Sequence, residues 1–204
     1  MSYANIFELT RCLDDCLEYC QQYPEREHSQ FHESLLREAR QELDESSAKA
    51  DKEFVEWRME SREDRLAWKR LAGELASVQK QLEAVNAIGF FDQKVMYWDP
   101  KRLIAAVDEM VTYLRRRVDD LDFAADKADK MERLKEKGLS EDDESDQALD
   151  EYLRFSKLRA NGLKVAKDTI ANFRRALRRD LTIRDKDYQR IGWPQQVATD
   201  EKVL

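Results

Sequence analysis

A single register of seam residues runs through fifty residues of this chain. Alternating steps of three and four link Leu36, Arg40, Leu43, Ser47, Ala50, Phe54, Trp57, Ser61, Asp64, Trp68, Leu71, Leu75, Val78, Leu82 and Val85. From Trp68 onward every step is apolar. Such a stripe belongs to a helix lying along other helices. At about 1.5 Å per residue it predicts a rod of roughly 75 Å. A rod that long has to be covered, so the rest of the chain reads as its partners.

The punctuation of the sequence agrees. Five Gly and three Pro in 204 residues leave few places to break a helix. Charged residues make up 39%, as long helices with solvated outer faces require. No run alternates Val, Ile and Thr at period two, so the expected class is all-α.

The chain then divides as follows. Residues 3–22 form a first helix with Ile6, Leu9, Leu13, Cys16, Leu17 and Cys20 on one face. A turn near residues 22–25, around Pro24, leads into the long helix, which runs to about Ala87 and stops at Gly89. Residues 88–98 carry Phe90, Phe91, Tyr97 and Trp98, an apolar connection that needs cover. Asp99-Pro100 starts a third helix, Asp as N-cap and Pro at the first helical position. Its stripe is Ile104, Val107, Val111, Leu114, Val118, Leu121, Ala125 and Ala128, and Gly138 is the expected stop. Ser140 with Asp143 suggests a capping box for a fourth helix that reaches Thr182.

Short connections between helices of matched length predict antiparallel neighbours. The expected architecture is an elongated antiparallel three-helix bundle or coiled coil over 46–182. An amino-terminal helical hairpin occupies 1–45 and runs into the long helix. An irregular tail, 183–204, packs on the aromatic 88–98 loop through Ile191 and Trp193. In outline this resembles a spectrin-type repeat, a likeness of architecture alone.

Chemistry-bearing residues are few. All three Cys and both His fall between Cys12 and His32. A hairpin turning near residue 24 sets Cys20 beside His28 and Cys16 beside His32. Residues four apart share a helix face, so Cys16, Cys20, His28 and His32 are a candidate zinc set, with Cys12 as an alternate ligand. The competing reading packs the cysteines as small hydrophobes and leaves the histidines solvated. One Glu-x-x-His, at Glu25–His28, is too little for a di-iron site. No glycine-rich phosphate loop exists, and a cysteine nucleophile has only the same two His as bases. The chain therefore reads as non-enzymatic.

Charge is segregated. Asp119–Glu151 holds 14 acidic and 5 basic residues, whereas Arg154–Arg190 holds 12 basic and 4 acidic. Arg174, Arg175, Arg178 and Arg179, with Trp193, form a candidate partner-binding face. Alternatively, the basic helix lies against its acidic neighbours. The net charge of -7 argues against general affinity for nucleic acid or an anionic membrane surface. A crescent-shaped membrane scaffold of the BAR type is disfavoured by the acidic stretch around Gly138. There is no apolar run of membrane-spanning length. The first residues lack a signal-peptide pattern, and an odd Cys count argues against disulfides, so a cytoplasmic setting is expected. The functional expectation is a structural or adaptor protein that binds partner proteins, itself included, through helix surfaces. The polar seam positions Arg40, Ser47, Ser61 and Asp64 would fix register.

Overall fold

The computed structural model describes residues 3–85, 99–181 and 185–193, with side chains from Ile6 onward. Five helices follow in order: α1 (Tyr3–Gln22), α2 (Glu27–Ala84), α3 (Pro100–Arg115), α4 (Ala124–Asp180) and α5 (Lys186–Arg190). No strand occurs among the described residues, and the fold is an all-α helical bundle. α2 and α4 run antiparallel, since Ser61 meets Ser145 while Trp68 meets Gly138. The chain forms two compact units, one of Met1–Lys52 with Tyr152–Leu204, the other of Glu53–Glu151.

The contiguous unit joins the second half of α2 to α3 and the first half of α4. Its core is the apolar half of the seam, Trp68, Leu71, Leu75, Val78 and Leu82, packed with Val107, Met110, Leu114, Ala128 and Met131. Asp99 caps α3 by accepting from the Arg102 amide at 3.1 Å, as its sequence position predicts.

The expected reversal at Gly138 is not there. α3 ends at Arg115, and the chain turns through residues 116–123. Amides of Arg117 and Asp120 bond back to Leu114 and Arg117. Asp119, Asp120 and Asp122 supply the turn chemistry, and Val118, assigned to the stripe, is exposed. Gly138 instead lies inside α4, with Ser140 and Asp143 following in the same helix rather than capping a new one. A Cβ on Gly138 would sit 2.9 Å from Trp68 Cζ3, so the glycine makes room for a buried indole.

In the other unit the amino-terminal hairpin does form, from α1 and the start of α2. It does not stand apart. α4 returns along it, and Leu9, Leu13, Cys16 and Tyr19 share a core with Leu36, Leu43, Leu163, Ile170, Phe173 and Leu177. Tyr188 and Ile191 close the same core from α5 and the residue after it. Gly162 lies inside α4, where a Cβ would meet Ser46 Oγ at 2.7 Å, a close crossing of α4 over α2. The aromatic 88–98 connection, Gly89 included, lies outside the described residues, and the expected packing of the tail on it lies there too.

Candidate functional site

The Cys and His residues are core components of the hairpin unit. Cys12, Cys16 and Cys20 are fully buried and free of disulfides. Burial first, then the neighbouring Cys12, pushes the Cys16 thiol well above its ordinary range. Burial also raises the Cys20 thiol to about 11, against the opposing pull of the nearby Ser29 hydroxyl, which itself does not reach hydrogen-bond geometry. Metal ligation uses the thiolate, and these surroundings favour the thiol.

His28 has partners other than the cysteines. Its Nδ1 bonds to Asp180 Oδ2 at 2.7 Å, and the Tyr19 hydroxyl lies 3.3 Å from its Nε2. That hydroxyl also accepts from Arg26 Nη1. The ring of His32 stands edge-on to Phe173, with centroids 5.6 Å apart. Burial, then His28, lowers its pKa. Thus the four predicted ligands share one core without converging. Among the described residues, the only group of three or more potential metal ligands with mutually close donor atoms is Glu60, Glu141 and Glu144.

The predicted arginine face is split. Arg174 and Arg178 both donate through Nε to the Tyr188 hydroxyl, at 2.7 and 2.9 Å. Arg174 lies 5.2 Å over the Trp193 ring, and Trp193 Nε1 donates to the Tyr188 carbonyl. These residues fasten α5 to α4. Tyr23 donates to Asp187, and the Gly192 amide donates to Asp15, which ties the same segment to α1. Arg175 turns to Asn172, and Arg179 is exposed.

The contiguous unit adds a carboxylate cluster around the polar seam position Ser61 and an outer face that no motif marked. On its seam, Ser61 and Ser145 hydroxyls lie 3.3 Å apart. Around them Glu60 is raised by burial, then by Glu63, Glu144, Glu141 and Glu56. Asp64 is raised by burial, then by Asp142. The Trp68 indole N–H lowers it in turn, although neither Asp64 Oδ1 nor Trp68 Nε1 reaches hydrogen-bond geometry. Glu74 goes the other way: burial would raise it, but Lys127 and Lys130, at 2.8 and 2.6 Å, hold it below its ordinary value.

On the outer face of α2, Val55, Met59 and Leu66 are exposed by 56, 57 and 41%. Steps of four and seven set them on one face. Arg62, Lys69 and Arg70 are exposed beside them, and among the described residues none is in an ion pair. The signal was available in the same heptad arithmetic that found the seam, applied half a turn round the helix. Comparison with protein-family models, curated proteins and solved structures finds no match to this chain. No helix among the described residues is long and apolar enough to cross a membrane.

Proposed function

We propose that this chain is a structural or adaptor protein, without catalysis of its own, that binds other proteins through its helix surfaces. The observation that supports the reading is the outer face of α2 in the contiguous unit. A row of exposed aliphatic side chains, Val55, Met59 and Leu66, is flanked by cations, Arg62, Lys69 and Arg70, that have no ion pair among the described residues. Exposed apolar rows with polar rims are the usual form of protein-binding sites. A solvated helix needs neither feature there.

The test is cross-linking of the full chain in its native host, read by mass spectrometry. Cross-links to a partner protein should cluster at Lys69 and its surroundings. They should vanish in Met59→Asp/Leu66→Asp, two exposed substitutions that leave the core intact. Cross-links spread evenly over the chain, and unchanged in the variant, defeat the reading.

A further inference from the structure

The same unit presents a second face that matches the first in length, spacing and opposite charge. On α4, Glu136, Leu139, Asp143, Asp146 and Asp150 follow one another by threes and fours and are all exposed. Among the described residues, none of the four carboxylates is in an ion pair. On α2 the corresponding series is Arg58, Arg62, Arg65 and Lys69, also by threes and fours. Arg62 and Lys69 are seven residues apart, as are Asp143 and Asp150. Each face spans fifteen residues, Val55–Lys69 and Glu136–Asp150, about 21 Å of helix. Each carries exposed aliphatic groups, Val55, Met59 and Leu66 on one and Leu139 on the other. The acidic residues nearest the basic face, Glu56 and Glu63, belong with the Glu60 cluster on its flank.

We infer that the basic face of α2 docks on the acidic face of α4 of a second copy of this chain, forming a two-fold dimer. A two-fold axis uses each face once per chain, so both pairings form together and the assembly closes. Charges repeating every seven residues along paired helices set partner choice and register, while the aliphatic side chains between them supply the burial. Intramolecular pairing does not account for these charges. The acidic seam of α4 that does meet α2 is a different row, Glu141 and Ser145, facing Glu60 and Ser61. This inference deepens the adaptor reading by naming one partner, and it depends on that reading for the role of the surface.

Sedimentation and light scattering of the full chain at about 0.05 M and about 0.5 M salt test it. At low salt the mass should be about twice the chain's 24.2 kDa. The apparent Kd should rise at least tenfold at the higher salt. Arg62→Glu/Lys69→Glu alone, and Asp143→Lys/Asp150→Lys alone, should each be monomeric with unchanged helicity. Mixed in equal amounts they should regain the double mass, since both pairings are then opposite in charge. Misfolded variants would not be restored by mixing, so that arm separates lost folding from lost docking. A wild-type chain that stays monomeric at low salt overturns the inference, as does a double mass that survives both charge reversals. A monomeric chain that still gives partner cross-links at α2 removes the dimer and leaves the adaptor reading standing. A dimer without such cross-links does the reverse.

Discussion

The contiguous unit closes residues 53–151 on themselves, whereas the other joins residues 1–52 to 152–204. They also differ in the polar groups they enclose. In the hairpin unit hydrogen-bonded networks run through the core, His28 with Asp180 and Tyr19, Tyr19 with Arg26, Tyr188 with Arg174 and Arg178, while Ser29 Oγ, His32 Nδ1 and Ser47 Oγ are buried without a hydrogen-bond partner. In the contiguous unit the core is almost purely apolar, and its polar seam sets carboxylate beside carboxylate. Matched networks fix one packing. Clustered like charges store repulsion that protons or cations can relieve. The hairpin unit is thus built for a single packing, and the contiguous unit for response to solution conditions.

The largest expected effect tests whether the aromatic core is local to its unit. Phe173 is fully buried between His28, His32 and Tyr19. Phe173→Ala should cost about 3–5 kcal/mol. Hydrogen exchange should then quicken in residues 152–181 and far less in 100–114. Equal loss in both stretches would merge the two units energetically. Next, Gly138→Val drives two methyls into the Trp68 ring and should cost about 1–3 kcal/mol in urea titration. An exposed helical glycine would gain from the same change, and Gly73, with nothing within 4 Å, provides that control as Gly73→Ala, expected to stabilise by about 1 kcal/mol. Tyr19→Phe keeps the ring but removes the hydroxyl shared by Arg26 and His28, a loss of about 1 kcal/mol.

The smallest effect concerns pH, where the two units should respond with opposite sign. His32 has a lowered pKa when folded, so the unfolded chain binds its proton first. The hairpin unit therefore loses stability as pH falls below about 6.5, the ordinary histidine value. Glu60 and Asp64 have raised values when folded, so there the folded state binds protons first. The contiguous unit therefore gains stability as pH falls toward the ordinary carboxylate range. Glu74 opposes this only lower down, as pH drops through its depressed value and the Lys127 and Lys130 bonds are lost. Glu60→Gln/Asp64→Asn should raise stability at neutral pH by a few tenths of a kcal/mol, since both groups are partly solvated. It should also flatten the acid response in exchange rates of residues 53–66 and leave His32's response unchanged.

Helix class and the seam were legible because periodicity survives without any partner in view. Leu36, Leu43, Ala50, Trp68, Leu71, Leu75, Val78 and Leu82 are all buried as the stripe requires. The α1 limits and the Asp99 cap were legible from local chemistry. The 116–123 turn was not, because it holds neither Gly nor Pro and the apolar steps at Val118 and Leu121 run through it. Gly138 misled for the converse reason: its job is set by an indole seventy residues earlier, a fact of packing that no local pattern carries. Tyr188 as the partner of Arg174 and Arg178 was not legible, because it sits in a short helix with no periodic signal of its own. Likewise, proximity of Cys and His in sequence said nothing about Asp180, which His28 bonds from the far end of α4.

The interrupted connectivity of the hairpin unit has a consequence for synthesis on the ribosome. Residues 53–151 can assemble as soon as they clear the exit tunnel, since every partner is already made. Leu9, Cys16 and Leu36 emerge earlier but must wait for Phe173 and Tyr188, more than a hundred residues later. During that interval the amino-terminal hairpin exposes its apolar face. Contacts so distant in sequence also close slowly. The unit that holds the Tyr19–His28–Arg26 network is therefore the one born last, and its exposed hairpin is the place where a nascent-chain chaperone would act.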